Sequence, residues 1–531
     1  MSAAPKALDW SSATPSRNPW AIAFTVTLAT FMEILDTSIA NVALPHIAGG
    51  LSASVDESTW VLTSYLVANA VVLPLSAWMA SRIGRKNFYM SCVALFTFSS
   101  FMCGVAPTLA TLILFRVIQG AGGGGLQPSE QAILADTFPP QQFGMAFAVY
   151  GMAVVLAPVI GPTLGGFIVD HFNWRWIFFI NVPVGVTSLM LSYRMIEDPP
   201  YLKEQRKTAL RVGIDYAGLG LVVVGLGCLQ VVLDKGQEDD WFSSHFIVYL
   251  AIVAAIALVL FVVWEWQREH SILDVRLFGE RSFAIAALMM FVLGFGLYGT
   301  TVLLPLYTQQ LLGYPAETAG MVLSPGGLAT IAVMPMVGAL VSRVQARWLI
   351  AFGFGITALA MFHMANINPQ IDYWTAMAYR IYQSLGLAFL FVPITTIAYA
   401  GIPQAKNNQV SSIVNLGRNI GGSVGIAMVT TILARRSQAH QHQLIYHLSG
   451  YDRPFQDAIS TMTSIFVERG YSVADATQQS YGQMYRLLQF HSAALAYLDA
   501  IWIMALAACC MIPLVFLMKK NDPHSASMTA H

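Results

Sequence analysis

Residues 30 to 45 read TFMEILDTSIANVALP, apolar enough for most of a membrane span yet carrying Glu33 and Asp36. A carboxylate at the centre of a bilayer costs about 2.5–3.5 kcal/mol even on lenient insertion scales, so such groups turn toward a bundle interior or a water-filled cavity. They commonly mark an ion or proton pathway. Glu33 and Asp36 are three apart and therefore neighbours on one helix face. Both features call for other helices around this one.

The rest of the chain supplies them. Of its 531 residues 56% are hydrophobic and 11% charged, with a mean hydropathy of +0.59, where soluble domains carry about 25% charged residues. The chain reads as an all-α integral membrane protein. A span needs about 20 mainly apolar residues. Candidates lie near 19–43, 58–80, 88–107, 109–128, 144–168, 174–195, 213–233, 245–264, 283–307, 315–341, 346–366, 374–400, 409–433 and 495–518, about fourteen in all. The N-terminal stretch has too short an apolar run for a cleavable signal peptide, so the first span is expected to stay as an anchor.

Basic residues set the orientation, because short cytoplasmic loops are enriched in Lys and Arg. With the N-terminus inside, the inner segments hold 18 Lys and Arg and the short outer loops only Arg175 and Lys235. Both termini, 1–18 and 519–531, are then cytoplasmic. The polar segment 434–494 falls outside, and its stretches DAISTMTSIFVERGY and DATQQSYGQMYRLLQFHSAALAYL suggest an amphipathic hairpin, either a covering loop or a docking surface.

Arg116, Arg380 and Arg418 remain inside spans with Glu33 and Asp36. At 1.5 Å rise per residue, Asp36 on the outward first span and Arg116 on the inward fourth span reach nearly the same depth, about 10 Å from the outer boundary. Pairing is permitted, either as a static packing contact or as a proton-responsive one. Arg380 and Arg418 are candidates for an anionic part of a substrate, or for partners of backbone carbonyls.

Equal numbers of acidic and basic residues, 28 each, give no net charge to recommend nucleic acid as a partner. The five cysteines lack zinc or disulfide spacing and read as small core residues. His440, His442 and His447 in the outer segment resemble a solvated face more than a metal site. No nucleophile, base or metal cluster suggests an enzyme.

Glycine recurs within the spans. RVIQGAGGGGLQP (116–128) and APVIGPTLGG (157–166, with Gly161, Pro162, Gly165 and Gly166) fit either close helix packing or a gate. In SAWMASRIGRKNF (76–88), Gly84 makes a tight turn and Arg82, Arg85 and Lys86 form a basic inner anchor.

Taken together, LDTSIANVALP, LILFRVIQG, APVIGPTLGG and WRWIFFINVPVG resemble the motifs of drug:proton antiporters of the major facilitator superfamily, in its fourteen-span EmrB/QacA branch. The resemblance runs over nearly the whole chain. It implies two six-helix bundles, 19–195 and 283–518, with an extra helix pair in the linker 196–282 and a periplasmic segment 434–494. It places proton coupling on Asp36 and Arg116, with Glu33 just outside the motif, and a gate on the glycines and proline of 161–166. No cofactor is implied, the proton gradient being the driving force. Implied partners are hydrophobic or amphipathic small molecules, the lipid of a bacterial inner membrane, a membrane-fusion adaptor and an outer-membrane channel. A dedicated exporter of one endogenous compound, such as a fatty acid or siderophore, is the alternative. One departure stands out: the loop motif that retains Arg82, Gly84, Arg85 and Lys86 has Ala77 and Ser81 where the superfamily has glycine and an acid.

Overall fold

The computed structural model describes residues 17–519 apart from 212, 269, 270, 369 and 447; residues 1–16 and 520–531 of the two tails and His447 lie outside the described residues. The described chain is helical, without a strand. The first bundle comprises α1 (Pro19–Gly50), α2 (Val55–Ile83), α3 (Arg85–Val105), α4 (Leu109–Gly123) continued by α5 (Leu126–Thr137), α6 (Phe143–His171), and α7 (Trp176–Phe179) continued by α8 (Asn181–Met195). A short amphipathic helix, α9 (Pro200–Arg211), leads to the pair α10 (Tyr216–Lys235) and α11 (His245–Gln267). The second bundle comprises α12 (Arg281–Gln310), α13 (Ala316–Val341), α14 (Ala346–Met364), α15 (Tyr373–Ala398), α16 (Asn407–Ile445) and, after α17 (Arg453–Glu468), α18 (Val473–Val515).

Thirteen of the described helices are long and apolar enough to cross a membrane. The chain is a multi-pass membrane protein. The fourteenth, α16, falls short in apolarity because Asn415, Arg418, Asn419 and Ser423 punctuate its middle; these side chains point into the protein, where bonding partners offset their polarity.

Burial follows what each helix faces. The most apolar segment of α11 is only 22% buried, with Ile256, Val259 and Val263 exposed as lipid-facing side chains are, whereas the corresponding segment of α1 is 72% buried. Cys510 is likewise exposed, so the cysteines are not all core residues. The bundles meet along α6 with α13, and along α2 and α5 with α16; α10 packs against both α2 and α16, closing the seam between them. Close approach there depends on glycine: a Cβ on Gly144 of α6 would strike the carbonyl of Gly338 in α13.

Most of the 434–494 segment is helical, and α17 with the start of α18 forms the hairpin expected there. α16 runs on to Ile445 and α18 begins at Val473, so these helices reach about 58 and 64 Å at 1.5 Å per residue, against a hydrocarbon core of about 30 Å. α17 folds back on the start of α18 through Gly470 at φ +94°, with Thr463 Oγ1 donating to Ser480 Oγ at 3.1 Å. Asp499 of α18 ties the base of this arm to Arg436 (2.6 Å) and His440 (2.8 Å) of α16.

Candidate functional site

α1 is wrapped by α2, α5, α6 and α8, which turns its polar face inward. Asp36, 2% exposed, accepts from Arg116 Nη1 at 2.5 Å, Asn181 Nδ2 at 2.6 Å and Gln119 Nε2 at 3.1 Å. The helix phase explains the set: Arg116 and Gln119 lie three apart on α4, so both reach the same carboxylate. Arg116, fully buried, also donates from Nε to the Val61 carbonyl at 3.0 Å and lies over the Tyr65 ring at 4.3 Å. Its Nη2 has no hydrogen-bond partner among the described residues.

Glu33 has a different environment. Its Oε1 accepts from Tyr65 Oη (3.2 Å) and Asn69 Nδ2 (3.1 Å), and its Oε2 from Gln127 Nε2 at 2.6 Å. All three donors are neutral. Tyr65 thus links the two carboxylates, its hydroxyl on Glu33 and its ring beneath the guanidinium that holds Asp36.

From Glu33 a polar layer crosses between the bundles. Gln127 accepts from Arg418 Nη2 of α16, and Tyr150 Oη of α6 accepts from Arg418 Nη1 at 3.3 Å. Asn419 Nδ2 donates to Asn69 Oδ1 at 3.1 Å, and Asn415 Nδ2 to Gln131 Oε1 at 2.9 Å. A buried polar network is tolerable only when nearly every member is satisfied, and such networks specify one arrangement. Here that arrangement is bundle against bundle.

Arg380 lies apart from this layer. It donates from Nη1 to Gln383 Oε1 (2.9 Å) and Thr300 Oγ1 (3.1 Å) and borders a narrow space between α6, α12, α13 and α15. A larger space of about 350 Å³ lies where α10 seals the seam, lined by Leu66, Leu233, Ile426 and Ala427 with Asp234 and Glu238.

Residues 26–426 match the sequence profile described as the Major Facilitator Superfamily. The chain belongs to that superfamily. It is 39% identical over 429 residues to the multidrug export protein EmrB of Haemophilus influenzae, covering 80% of this chain and 83% of that protein. It is 37% identical over 441 residues to EmrB of Escherichia coli K12 (83% and 85%), and 36% identical over 459 residues to the fatty acid resistance protein FarB of Neisseria gonorrhoeae (86% and 89%). The proton:xylose symporter XylE, of the same superfamily, shares the fold at a TM-score of 0.61 and 14% identity, covering 98% of this chain and 100% of that one.

As a member of the superfamily, the chain departs from the usual loop motif at Ser81, and the structure supplies acids from elsewhere. Gly84, at φ +91°, turns α2 into α3 in a conformation that L side chains rarely adopt. Asp198 Oδ1 accepts from the Lys86 backbone N–H at 2.9 Å. Arg85 is buried against Asp136 of α5 at 2.5 Å, and Asp136 also accepts from Tyr201 Oη (2.6 Å) and from Asn407 Nδ2 of α16 at 2.8 Å. Burial pushes the Tyr201 hydroxyl well above its ordinary pKa, and its oxygen also accepts from Arg85 Nη2 at 2.9 Å. Lys86 Nζ reaches the Tyr193 carbonyl at 2.8 Å and Arg82 the Gly213 carbonyl at 3.1 Å.

Within APVIGPTLGG the positions divide. A Cβ on Gly161 would strike the Ser38 side chain, and one on Gly165 would crowd Ile39 at 3.2 Å, so both hold α6 against α1 within a turn of Asp36. A Cβ on Gly320 of α13 would meet Pro162 at 3.7 Å, and one on Gly166 would meet nothing within 4 Å.

Two buried carboxylates escaped the sequence reading, Glu265 at the end of α11 and Glu130 of α5. Glu130 of α5 is fully buried, accepts from Thr27 Oγ1 of α1 at 2.6 Å, and leaves Oε2 without a partner among the described residues. A span ended at Pro128 put it in a loop; the signal was its i+3 relation to Gln127, which shares its face.

Proposed function

We propose that this chain is a proton-driven exporter of hydrophobic and amphipathic toxic compounds in a bacterial inner membrane, with both termini cytoplasmic. The observation that carries the reading is the Asp36–Arg116 pair, buried at the heart of α1 and α4 and connected through Tyr65 to Glu33. A proton changes a conformational equilibrium only if it binds the two states with different affinity. Protonating Asp36 removes the charge that holds Arg116, and this supplies the difference. Glu33, bonded to Gln127 and through it to Arg418, then carries the change to the contact between bundles.

The similarity to the EmrB proteins supports a multidrug substrate range, as does the mixed lining of the space beside α10, with apolar walls and Asp234, while Glu238 is paired with Lys235 at 2.5 Å. The similarity to FarB favours a second reading, export of a carboxylic acid, in which Arg380 or Arg418 meets the anion. The projecting arm of α16, α17 and α18 is the natural dock for a membrane-fusion adaptor, with an outer-membrane channel completing a tripartite pump. Excising residues 441–490 leaves Arg436, His440 and Asp499 in place. Transport by vesicles should then persist while resistance of intact cells is lost; unchanged resistance would remove the docking role.

The deciding experiment reconstitutes the purified protein in liposomes under an imposed pH gradient and follows accumulation of a lipophilic cationic dye. Wild type should respond to the gradient, and Asp36→Asn should lose that response while eluting as a folded monodisperse species. Glu33→Gln should shift the pH at which uptake is half-maximal. An Asp36→Asn protein that responds like wild type would reduce the pair to a packing contact.

A further inference from the structure

The two bundles repeat one constellation with a single chemical change. α4 carries Arg116-Val-Ile-Gln119 and α15 carries Arg380-Ile-Tyr-Gln383. In each, the arginine Nη1 donates to the glutamine Oε1 one turn on, at 2.8 and 2.9 Å. In each, arginine and glutamine both donate to one residue on the first helix of their own bundle. That residue is Asp36 on α1, at 2.5 and 3.1 Å, and Thr300 on α12, at 3.1 and 2.7 Å. The same offset of 264 residues relates Asp36 to Thr300, Arg116 to Arg380 and Gln119 to Gln383. The second bundle has kept the cation and replaced its counter-ion with a hydroxyl.

Arg380 is 5% exposed, its Nε has no partner, and no carboxylate lies within 4 Å of it among the described residues. A buried guanidinium held only by neutral oxygens is an uncompensated charge, and the cost falls when an anion arrives. The surroundings suit one kind of anion. The space it borders is lined by Val155, Val159, Leu323 and Leu387, with Tyr298 and Ser384. It measures about 30 Å³, room for one or two waters, so an occupant enters as the bundles part. Arg418, whose Nε is also unpartnered, is instead bonded to Gln127 and Tyr150 in the contact between bundles.

Building on the transport reading above, we infer that Arg380 is the counter-ion for the carboxylate of an amphipathic monoanionic substrate, with Thr300 and Gln383 orienting the guanidinium and the apolar walls receiving the hydrocarbon chain. Arginine binds a carboxylate through paired N–H donors, which gives geometry as well as charge. Cationic substrates do not need this subsite.

The test is binding to the purified full-length protein, with a fluorescent dansyl-labelled fatty acid displaced by dodecanoate or by methyl dodecanoate. Wild type should release the probe to the acid and retain it against the ester. Arg380→Gln should weaken binding of the acid about tenfold or more, the scale of a lost charge-assisted hydrogen bond. Thr300→Asp rebuilds the first bundle's pair, gives Arg380 a resident partner and should weaken the acid equally, while gradient-driven uptake of a cationic dye persists. Equal displacement by acid and ester, or undiminished acid binding in both variants, overturns the assignment. Wild type that discriminates acid from ester but accumulates no dye would fail the transport reading and leave the subsite standing.

Discussion

At the scale of single residues, the polar interior around α1 holds three carboxylates among the described residues, and their partners differ. Asp36 faces a cation, Glu33 faces three neutral donors, and Glu130 faces one threonine with its second oxygen unpartnered. Glu130→Gln should fold, since an amide can accept from Thr27 as the carboxylate does, and should slow gradient-driven dye uptake while leaving binding of the dye unchanged. Uptake equal to wild type would make Glu130 a packing residue. Tyr65→Phe keeps the ring under Arg116 and deletes the bond to Glu33; the expected result is a shifted pH profile of uptake with the maximal rate retained. A lost maximal rate would mean that the hydroxyl serves more than Glu33. Asp36 and Arg116 were legible in the sequence because charge inside an apolar run, together with 1.5 Å of rise per residue, places both at one depth. Their actual contact, and the roles of Gln119 and Asn181, were not, since amides carry no signal in a hydropathy pattern. Asp136 was hidden for a related reason: it lies 51 residues beyond Arg85 along the chain and meets it only through the fold.

At the scale of elements, helix existence followed from apolar length, but the ends of the last two spans did not. The polar residues after Leu433 hid the continuation of α16, although DAISTMTSIFVERGY and DATQQSYGQMYRLLQFHSAALAYL suggested the hairpin that α17 and the start of α18 form. These stretches are helical because α17 packs on α18 and α18 on α16, beyond the apolar length of the two spans. Glycine spacing carried a different message, that α6 is close to something, without saying what. The structure names Ser38 and Ile39 of α1, and this separates the motif positions experimentally. Gly161→Ala should destabilise the α1–α6 contact by about 1–3 kcal/mol, the cost of overpacking, and lower both thermal stability and uptake. Gly166→Ala, with nothing within 4 Å of its added Cβ, should match wild type in both. Equal behaviour of the two variants would contradict the packing described for α6.

At the scale of the whole molecule, the two bundles are joined by apolar packing, with Tyr399 against Phe143 and Phe147 and Phe391 against Tyr150, and by polar and glycine contacts. The contacts include Asn407 on Asp136, Ser412 against Ser76 and Gly338 against Gly144, toward the ends of the helices where Arg85 and Lys86 lie. The polar ones open at small net cost, because their hydrogen bonds can be exchanged for water. If the bundles rock, these contacts must separate once per transport cycle. Ser76 Oγ and Ser412 Oγ are 2.6 Å apart, a spacing that cysteine sulfurs at the same positions can close to the roughly 2.05 Å of a disulfide. With the five native cysteines replaced, Ser76→Cys together with Ser412→Cys should transport dye when reduced, crosslink under mild oxidation, stop transporting, and recover on reduction. Each single cysteine variant should ignore the oxidant. A crosslinked protein that still accumulates dye under a pH gradient would mean that this face stays shut throughout the cycle, and the exchange of sides would then have to occur within one bundle.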